Sequence, residues 1–290
     1  MTVFADQADQ RCVPIIANDQ LARDTFRVRL AAGDLASRAV PGQFFMLRVA
    51  GCNDPLIGRA LALFDRSASS SLGASSLGAD AWIDLVYLVK GKFTTRLAEL
   101  SAGDLLEVCG PLGNGFTPSP VDHLIMVAGG IGQTPFLALA REALGLQSFG
   151  QPPRTAGYAR RVSFCYGVRS ADYLAALELF EQAGVEVHIA TEDGSIGPPQ
   201  RVTSPLETLL LLSSEESCRV VCCGPEPMMA AVAHMASKYS VPCEASLETP
   251  MACGIGICFT CVARIGSEND WDYKRTCVEG PIFDAEKIVW

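Results

Sequence analysis

Four cysteines near the C-terminal end, Cys253, Cys258, Cys261 and Cys277, constrain this chain more than any other feature; their spacing is C-x4-C-x2-C-x15-C. Three of them fall in one tight run, Cys253-Gly-Ile-Gly-Ile-Cys258-Phe-Thr-Cys261. That segment has to turn back on itself if its thiolates are to share one centre. Gly254 and Gly256 supply backbone angles that other residues resist and remove side chains that would crowd such a centre. The first three cysteines fit the C-x4-C-x2-C run that holds a [2Fe–2S] cluster, and loop N–H groups can bond the cluster sulfurs. Two alternatives stand beside this reading: a structural zinc, and four unrelated buried thiols. Zinc also takes four thiolates, but zinc ribbons use two separated C-x2-C pairs, whereas here one half carries three cysteines and the other one. A redox cluster implies an electron carrier, so the rest of the chain should hold what gives or receives the electrons.

Length and composition set the frame for that search. A chain of 290 residues is too long for one small domain, and a 49% hydrophobic fraction supplies real cores. The net charge of −9 argues against a nucleic-acid partner, which would want a basic face. Eight of the 12 cysteines lie outside the run (Cys12, Cys52, Cys109, Cys165, Cys218, Cys222, Cys223 and Cys243), several inside apolar stretches such as Val220-Val221-Cys222-Cys223. They read as small hydrophobes in a reducing, cytoplasmic compartment, not as a disulfide framework. Asp6, Asp9 and Arg11 interrupt the start of the chain, so no signal peptide is expected. The aliphatic run Leu209 to Leu212 is far too short to span a bilayer, and no membrane partner is expected.

The first part of the chain reads as β. Short apolar or alternating segments recur at Arg11–Ala17, Thr25–Leu30, Gln43–Val49, Arg59–Phe64, Ala81–Val89 and Leu105–Cys109, separated by turns such as Gly33-Asp34, Pro41-Gly42 and Gly103-Asp104. Six such strands predict a closed antiparallel barrel, with one helix-like stretch at Thr94–Leu100. The Ser/Ala/Gly-rich segment Arg66 to Asp80 reads as a floppy hairpin tip. After Pro118, strands (His123–Ala128, Arg161–Val168, Val185–Thr191, Arg219–Cys223) alternate with helices (Thr134–Leu146, Ala171–Ala183, Pro205–Leu212, Pro227–Ser240). That alternation predicts a parallel sheet with helices on both faces. Gln147–Arg160 reads as a polar insertion loop. The expected fold is therefore mixed β and α/β: a six-stranded barrel at 1–117, an α/β nucleotide-binding domain at 118–243 and a small cluster module at 244–290.

Two glycine turns mark the expected nucleotide edge. The first strand of the α/β region runs into Gly129-Gly130-Ile131-Gly132-Gln133-Thr134-Pro135. Gly130 and Gly132 would let backbone approach a pyrophosphate at a helix N-terminus, with Thr134 as a cap and Pro135 in the first turn. The pattern is G-x-G-x-x-P rather than G-x-G-x-x-G, and an ordinary tight turn explains it equally well in isolation. Cys223-Gly224-Pro225 ends a later strand on the same carboxyl edge, where open α/β sheets bind ligands. Gly224 would admit a flat ring, and Cys223 would be its soft, uncharged neighbour; a buried cysteine at a helix entry is the plainer alternative. Tyr166-Gly-Val-Arg169-Ser and Thr191-Glu192-Asp193-Gly-Ser195 end the other strands, and the acidic pair leans towards NAD over NADP. Arg59 could face a phosphate or a flavin, although by itself a surface arginine is the simpler reading.

Together these residues resemble the electron-transfer subunits of NAD-dependent dihydroorotate dehydrogenases, within the ferredoxin-reductase-like flavoproteins. The resemblance covers nearly the whole chain. It is carried by Gly110-Pro-Leu-Gly-Asn-Gly-Phe116, Gly129-Gly-Ile-Gly132, Cys223-Gly-Pro225, Glu248-Thr-Pro-Met-Ala-Cys253-Gly-Ile-Gly-Ile-Cys258 and Cys277-Val-Glu-Gly-Pro-Ile-Phe-Asp284. It implies FAD on the barrel, NAD on the α/β domain and [2Fe–2S] held by Cys253, Cys258, Cys261 and Cys277.

The family's flavin pattern, R-P-x-S followed by a tyrosine strand and G-x-G-T, maps onto Arg59, Ala60, Leu61 and Ala62, then Val86, Tyr87 and Leu88, then Phe93 and Thr94. Ala60 and Ala62 replace Pro and Ser, and Phe93 replaces the second Gly. The lost hydroxyl at Ala62 would weaken a flavin contact by about 0.5–1.5 kcal/mol, and Phe93 is expected to crowd the phosphate turn. Gly130, Gly132, Gly224 and Pro225 would line NAD, with Cys223 at the reacting ring. The resemblance further implies a partner: an FMN-containing catalytic subunit that oxidises dihydroorotate in pyrimidine (UMP) biosynthesis, in a heterotetramer of two of each. The orotate site is expected on that partner, not here. Rival readings are a subunit of a ferredoxin, hydrogenase or sulfide dehydrogenase complex, or a zinc-binding interaction module on a degenerate reductase fold. Trp290, the last residue, is expected to pack or to touch a partner subunit rather than to stack on a flavin.

Overall fold

The structure, a computed structural model, describes residues 8–67 and 81–290. All six expected barrel strands form: β1 (Asp9–Ala22), β2 (Thr25–Ala31), β3 (Phe44–Val49), β4 (Arg59–Ser67), β5 (Trp82–Leu88) and β6 (Leu105–Leu112). They close as an antiparallel barrel in the order β1-β2-β5-β4-β3-β6. Alternate residues of a strand face opposite sides. Ile83, Leu85 and Tyr87 therefore point inward with Val28, Leu30, Phe45, Leu63 and Val108 to fill one core. Their neighbours Phe64 and Val86 point the other way, into a cluster shared with the second half of the chain. A short helix, α1 (Asp34–Arg38), was not foreseen; α2 (Lys92–Ala98) stands close to where a helix was expected. Of the low-complexity segment, Arg66 and Ser67 finish β4, and the remainder lies outside the described residues.

The second half alternates as expected: β7 (Val121–Gly129), α3 (Phe136–Ala143), β8 (Ala159–Val168), α4 (Leu177–Gln182), β9 (Glu186–Thr191), α5 (Thr203–Leu212), β10 (Cys218–Cys223), α6 (Glu226–Lys238) and β11 (Cys243–Ser246). Strands β7 to β11 are parallel. α3 and α4 cover one face and α5 and α6 the other. Two expected helices are shorter than their apolar stretches. The first is preceded by a 3₁₀ turn at Gly130–Gln133, and the second is split where Ala176 adopts a left-handed φ of 58°.

The tail does not stand apart. After a hairpin of β12 (Val262–Ser267) and β13 (Asp270–Arg275), β14 (Ile282–Asp284) returns to the sheet and pairs antiparallel with β11, giving the order β14-β11-β10-β7-β8-β9. The expected boundary at 243/244 thus falls inside a strand. Asn114, at the barrel exit, locks this return. Its Oδ1 accepts from Ile282 N at 3.0 Å, its Nδ2 donates to Ile282 O at 2.9 Å and its own N–H donates to Gly280 O at 2.6 Å. Gly113 has to be glycine here, because a Cβ would lie 2.6 Å from Pro281 Cδ. Trp290 is partly buried beside the core under α5 and α6.

The segment expected to be an insertion loop is a clamp between the two halves. Phe149 is fully buried in the barrel core, and the Arg66 guanidinium lies 4.6 Å from its ring centroid. Arg66 Nη2 donates to Ser148 O at 2.7 Å, and Gln147 Nε2 donates to Arg66 O at 2.8 Å. Farther along, Arg154 forks onto buried Glu142 at 2.6 and 2.7 Å. The polar composition concealed this because one aromatic side chain does the insertion and the polar groups satisfy backbone around it.

A second tie is ionic. Asp65 on β4 meets Arg141 on α3 at 2.9 Å, while its other oxygen, Oδ1, has no hydrogen-bond partner. Burial pushes this carboxyl from its ordinary 3.8 up to about 6, against the pull of Arg141. Between those values the folded chain keeps a proton that the unfolded chain has released, so this group's contribution to stability falls as pH rises from about 4 to about 6. The loss is on the order of 2–3 kcal/mol. Asp65→Asn should remove that share of the pH dependence; urea unfolding at pH 4.5 and 7 should show a wild-type-minus-variant stability difference that declines with pH. A difference independent of pH would mean that Asp65 titrates normally.

Candidate functional site

The cysteine loop leaves β11 through Leu247 and Glu248 and folds over the barrel. Gly254 and Gly256 take φ of 73° and 82°. A Cβ at Gly254 would lie 2.6 Å from Met46 Cγ, and one at Gly256 would lie 3.0 Å from Val278 Cγ2. The glycines thus face the packed side, and the intervening Ile255 and Ile257 are exposed. Thr276 N–H and Oγ1 both donate to Cys261 O, at 2.9 and 3.0 Å, and Arg275 Nη1 donates to Gly256 O at 3.0 Å. Cys261 and Cys277 are buried, Cys253 is half-buried and Cys258 is exposed.

The thiols converge in pairs. Cys258, with Thr260 Oγ1 donating to its sulfur at 3.1 Å, is drawn down to about 6 by Thr260 and by its neighbour Cys253. Cys277 is pushed up to about 12 by burial and by contact with Cys261. Four thiols brought together by one glycine-rich loop and the tail are a donor set that suits a [2Fe–2S] core. The donor set and the glycine-lined cradle fit the cluster.

The cage rests on the barrel next to the expected flavin strand. Cys261 and Cys277 share an apolar cluster with Phe44, Met46 and Leu112, against which Ala60 and Cys109 also pack. Ala60 and Ala62 pair with Met46 and Phe44 across the β3–β4 ladder, while Leu61 packs towards the barrel core. Arg59 is exposed, and its Nη1 donates to Ile57 O and Gly58 O at 3.1 and 3.0 Å. Half-buried Leu88 ends β5, and Val86 is buried against the α/β half.

Two residues of the flavin pattern turn their rings into the barrel. Tyr87 is buried inside the barrel, where its hydroxyl donates to Asn18 Oδ1 at 3.0 Å; Asn18 Nδ2 in turn donates to Leu97 O and Leu100 O at 2.8 and 2.9 Å. Those bonds brace the end of α2. Phe93 also turns into the barrel core and does not crowd the turn. Thr94 closes that turn, accepting at Oγ1 from Lys90 N and Gly91 N at 2.9 and 3.1 Å.

At the carboxyl edge of the parallel sheet the two glycine turns interlock. A Cβ on Gly132 would lie 2.3 Å from Cys223 O, and one on Gly224, whose φ is 146°, would lie 2.9 Å from Gly129 N. Pro225 Cδ would lie 2.8 Å from a Cβ on Gly129. These glycines are required by the approach of one turn to the other. Gly130 differs: its φ is 55° and nothing crowds its missing side chain, so it is the position open to a ligand. Thr134 makes no capping bond, and α3 starts behind Pro135 without a side-chain cap.

Cys223 is buried, and burial beside Glu248 holds its thiol well above the ordinary range, so it is an uncharged contact and not a nucleophile. Its Sγ lies 3.9 Å from Glu248 Oε1. Glu248 is exposed, although protein atoms crowd its carboxyl on one side. Desolvation there raises its carboxyl, while Cys223 and the charge of Lys90, from the turn after β5, oppose the rise. Glu248 therefore stands between the glycine turn of β10 and the turn that follows the flavin strand. In the sequence Glu248 is only one letter of a motif; its contact with Cys223 is what marks it, and no spacing rule reports that.

The comparisons agree with this layout. Residues 248–289 match the iron–sulfur cluster binding domain of dihydroorotate dehydrogenase B, and residues 126–234 match the oxidoreductase NAD-binding domain. The NADH-dependent reduced ferredoxin-NADP oxidoreductase structure shares the fold, with a TM-score of 0.77 at 24% identity over 96% of this chain and 90% of that one. The dihydroorotate dehydrogenase B (NAD(+)) electron transfer subunit of Desulforamulus reducens is 32% identical over 95% of this chain and 97% of its own. That of Geobacillus kaustophilus is 34% identical over 93% and 94%. With so nearly complete an overlap, the chain belongs to the family of dihydroorotate dehydrogenase B electron transfer subunits.

Proposed function

We propose that this chain relays electrons from a dihydroorotate-oxidising subunit to NAD, in pyrimidine biosynthesis, holding a [2Fe–2S] cluster and FAD between them. The observation that carries the reading is adjacency. The buried cysteines pack on the same apolar cluster as Ala60 of the flavin strand, and Glu248, which leads into the cysteine loop, touches Cys223 of the nucleotide edge. The cluster supplies one-electron transfer, the flavin converts between one and two electrons, and NAD accepts a hydride. The protein contributes position and electrostatics. Cys253, Cys258, Cys261 and Cys277 hold the cluster; Arg59 to Ala62 and the turn before Thr94 hold the flavin; Gly130, Gly224 and Pro225 line the nicotinamide nucleotide. Glu192 and Asp193, at the end of β9, favour NAD over NADP by repelling a 2′-phosphate.

The partner is an FMN-containing catalytic subunit, in an assembly of two copies of each chain. Exposed Ile255, Ile257 and Phe259 flank Cys258 in the loop, the ligand most open to solvent, and Trp271 and Tyr273 are exposed on the hairpin. A patch of this kind on a soluble carrier is a docking face. No described helix is long and apolar enough to cross a membrane. A reducing, cytoplasmic setting suits Cys165, Cys222 and Cys243, which pack as small hydrophobes in the core.

Anaerobically purified chain should contain two irons, two acid-labile sulfides and one FAD, reduce a dye with NADH, and turn over dihydroorotate only when the catalytic subunit is added. Material lacking iron and sulfide, or oxidation of dihydroorotate by the single chain, would sink the proposal. Glu248→Gln should slow NADH-dependent dye reduction about tenfold with iron and flavin contents unchanged; an unaltered rate would reduce Glu248 to a lining residue. Replacing Ile257 by Ser and Phe259 by Ala together should weaken association with the catalytic subunit about 10–100-fold and leave dye reduction intact. Binding at the wild-type affinity would move the docking face elsewhere.

A further inference from the structure

Every redox segment lies at the carboxyl edge of the parallel sheet or on the barrel beside it. A separate group of ligand-type side chains occupies the opposite edge. His123 on β7 and Cys218 on β10 are direct partners in the parallel register, and Glu216 lies in the turn that leads from α5 to β10. One donor atom from each of His123, Glu216 and Cys218 lies within 4.8 Å of the other two.

The hydrogen bonds around His123 fix its tautomer. Ser163 Oγ donates to Glu186 Oε2 at 3.1 Å. A hydroxyl has one proton, so Ser163 must accept from His123 Nε2, 2.8 Å away. The ring therefore carries its proton on Nε2 and its lone pair on Nδ1. Ser213 Oγ, which accepts from Arg161 Nη2, donates its own proton to that lone pair at 3.0 Å, and Glu216 Oε2 lies 3.8 Å from the same nitrogen. A carboxylate acting through a hydroxyl on the far nitrogen is the outer-shell arrangement that orients metal-binding histidines. The place of the cation beside Glu216 is taken here by Arg161, whose Nη2 donates to Glu216 Oε2 at 2.6 Å and to Ser213 Oγ at 2.8 Å. Arg161 Nη1 is already 3.8 Å from Glu186 Oε2, so the guanidinium has a second carboxylate to turn to.

We infer that His123 Nδ1, Glu216 and Cys218 form a binding site for one zinc-like divalent cation, which enters as Arg161 moves from Glu216 to Glu186 and the Ser213 hydroxyl turns away from Nδ1. One nitrogen, one sulfur and one oxygen donor suit Zn²⁺ and not the oxygen-seeking Mg²⁺ or Ca²⁺. Three protein ligands leave the fourth tetrahedral position to water. The Cys218 thiol gives its proton to solvent as the sulfur binds. Such an ion ties the turn before β10 to β7 and is independent of the cysteine cage.

The test uses the complete protein with its iron and flavin in place, dialysed against micromolar Zn²⁺ or Mg²⁺ and assayed for metal and iron. One Zn²⁺ per chain should bind without loss of iron, and Mg²⁺ should not bind. Cys218→Ser and Glu216→Gln should each weaken zinc at least about tenfold, and Ser163→Ala, which removes only the group orienting His123, about 10–100-fold. The site is overturned if no zinc binds at those concentrations, if zinc uptake is matched by loss of iron, or if the three variants bind as tightly as the wild type. Zinc held by these residues but indifferent to Ser163→Ala would overturn the orienting role assigned to the Ser163–Glu186 relay.

Discussion

The pairing of Ile282–Asp284 with Cys243–Ser246 is the contact on which the rest of the arrangement depends. The cysteine loop and its hairpin are an excursion between two strands of one sheet, entering from β11 and returning through β14. A two-stranded hairpin is marginal by itself in water. Anchored at both ends, it becomes part of the α/β core, and Leu247 N–H closes the neck by donating to Pro281 O at 2.9 Å. Asn114 and Gly113 fasten the same return to the barrel. Three parts of the chain, distant in sequence, are thereby fixed around the cage.

That fixation brings two motifs far apart in sequence into contact. Gly110–Phe116 and Cys277–Asp284 looked like separate signatures, one closing the barrel and one supplying the last ligand. In the fold they touch, with Asn114 bonded to Ile282 and Gly113 pressed against Pro281. The glycine turns at the nucleotide edge behave alike. Gly132 and Gly224 are demanded by each other's backbone, and Gly130 alone keeps open space. A glycine fingerprint in this fold therefore reports turn packing as much as ligand approach.

Much of the fold was legible because its signals are periodic. The six barrel strands and four of the parallel strands have alternating or continuous apolar runs long enough to register, and the cysteine spacing named its own chemistry. What was missed has a common cause. β11 and β14 span four and three residues, too short for any period to appear, so the tail read as a separate module. Phe149 is one aromatic in a polar stretch, and its insertion is a tertiary event that composition does not carry. Tyr87 and Phe93 could be aligned with a flavin pattern, but strand parity and the turn of α2 send both rings into the barrel. Glu248 was visible as a letter in a motif; its place between Cys223 and Lys90 depends on three segments meeting.

The Phe149 clamp bears on how such a carrier can work. With an aromatic ring from the nucleotide-binding half seated in the barrel core, and Arg66 and Arg154 bolting the strap at either end, the two halves share hydrophobic interior instead of meeting across a wet seam. A hinge there would have to extract a buried ring, which is worth several kcal/mol. The distances over which charge has to hop are accordingly set when the chain folds, and turnover need not wait for the halves to swing together.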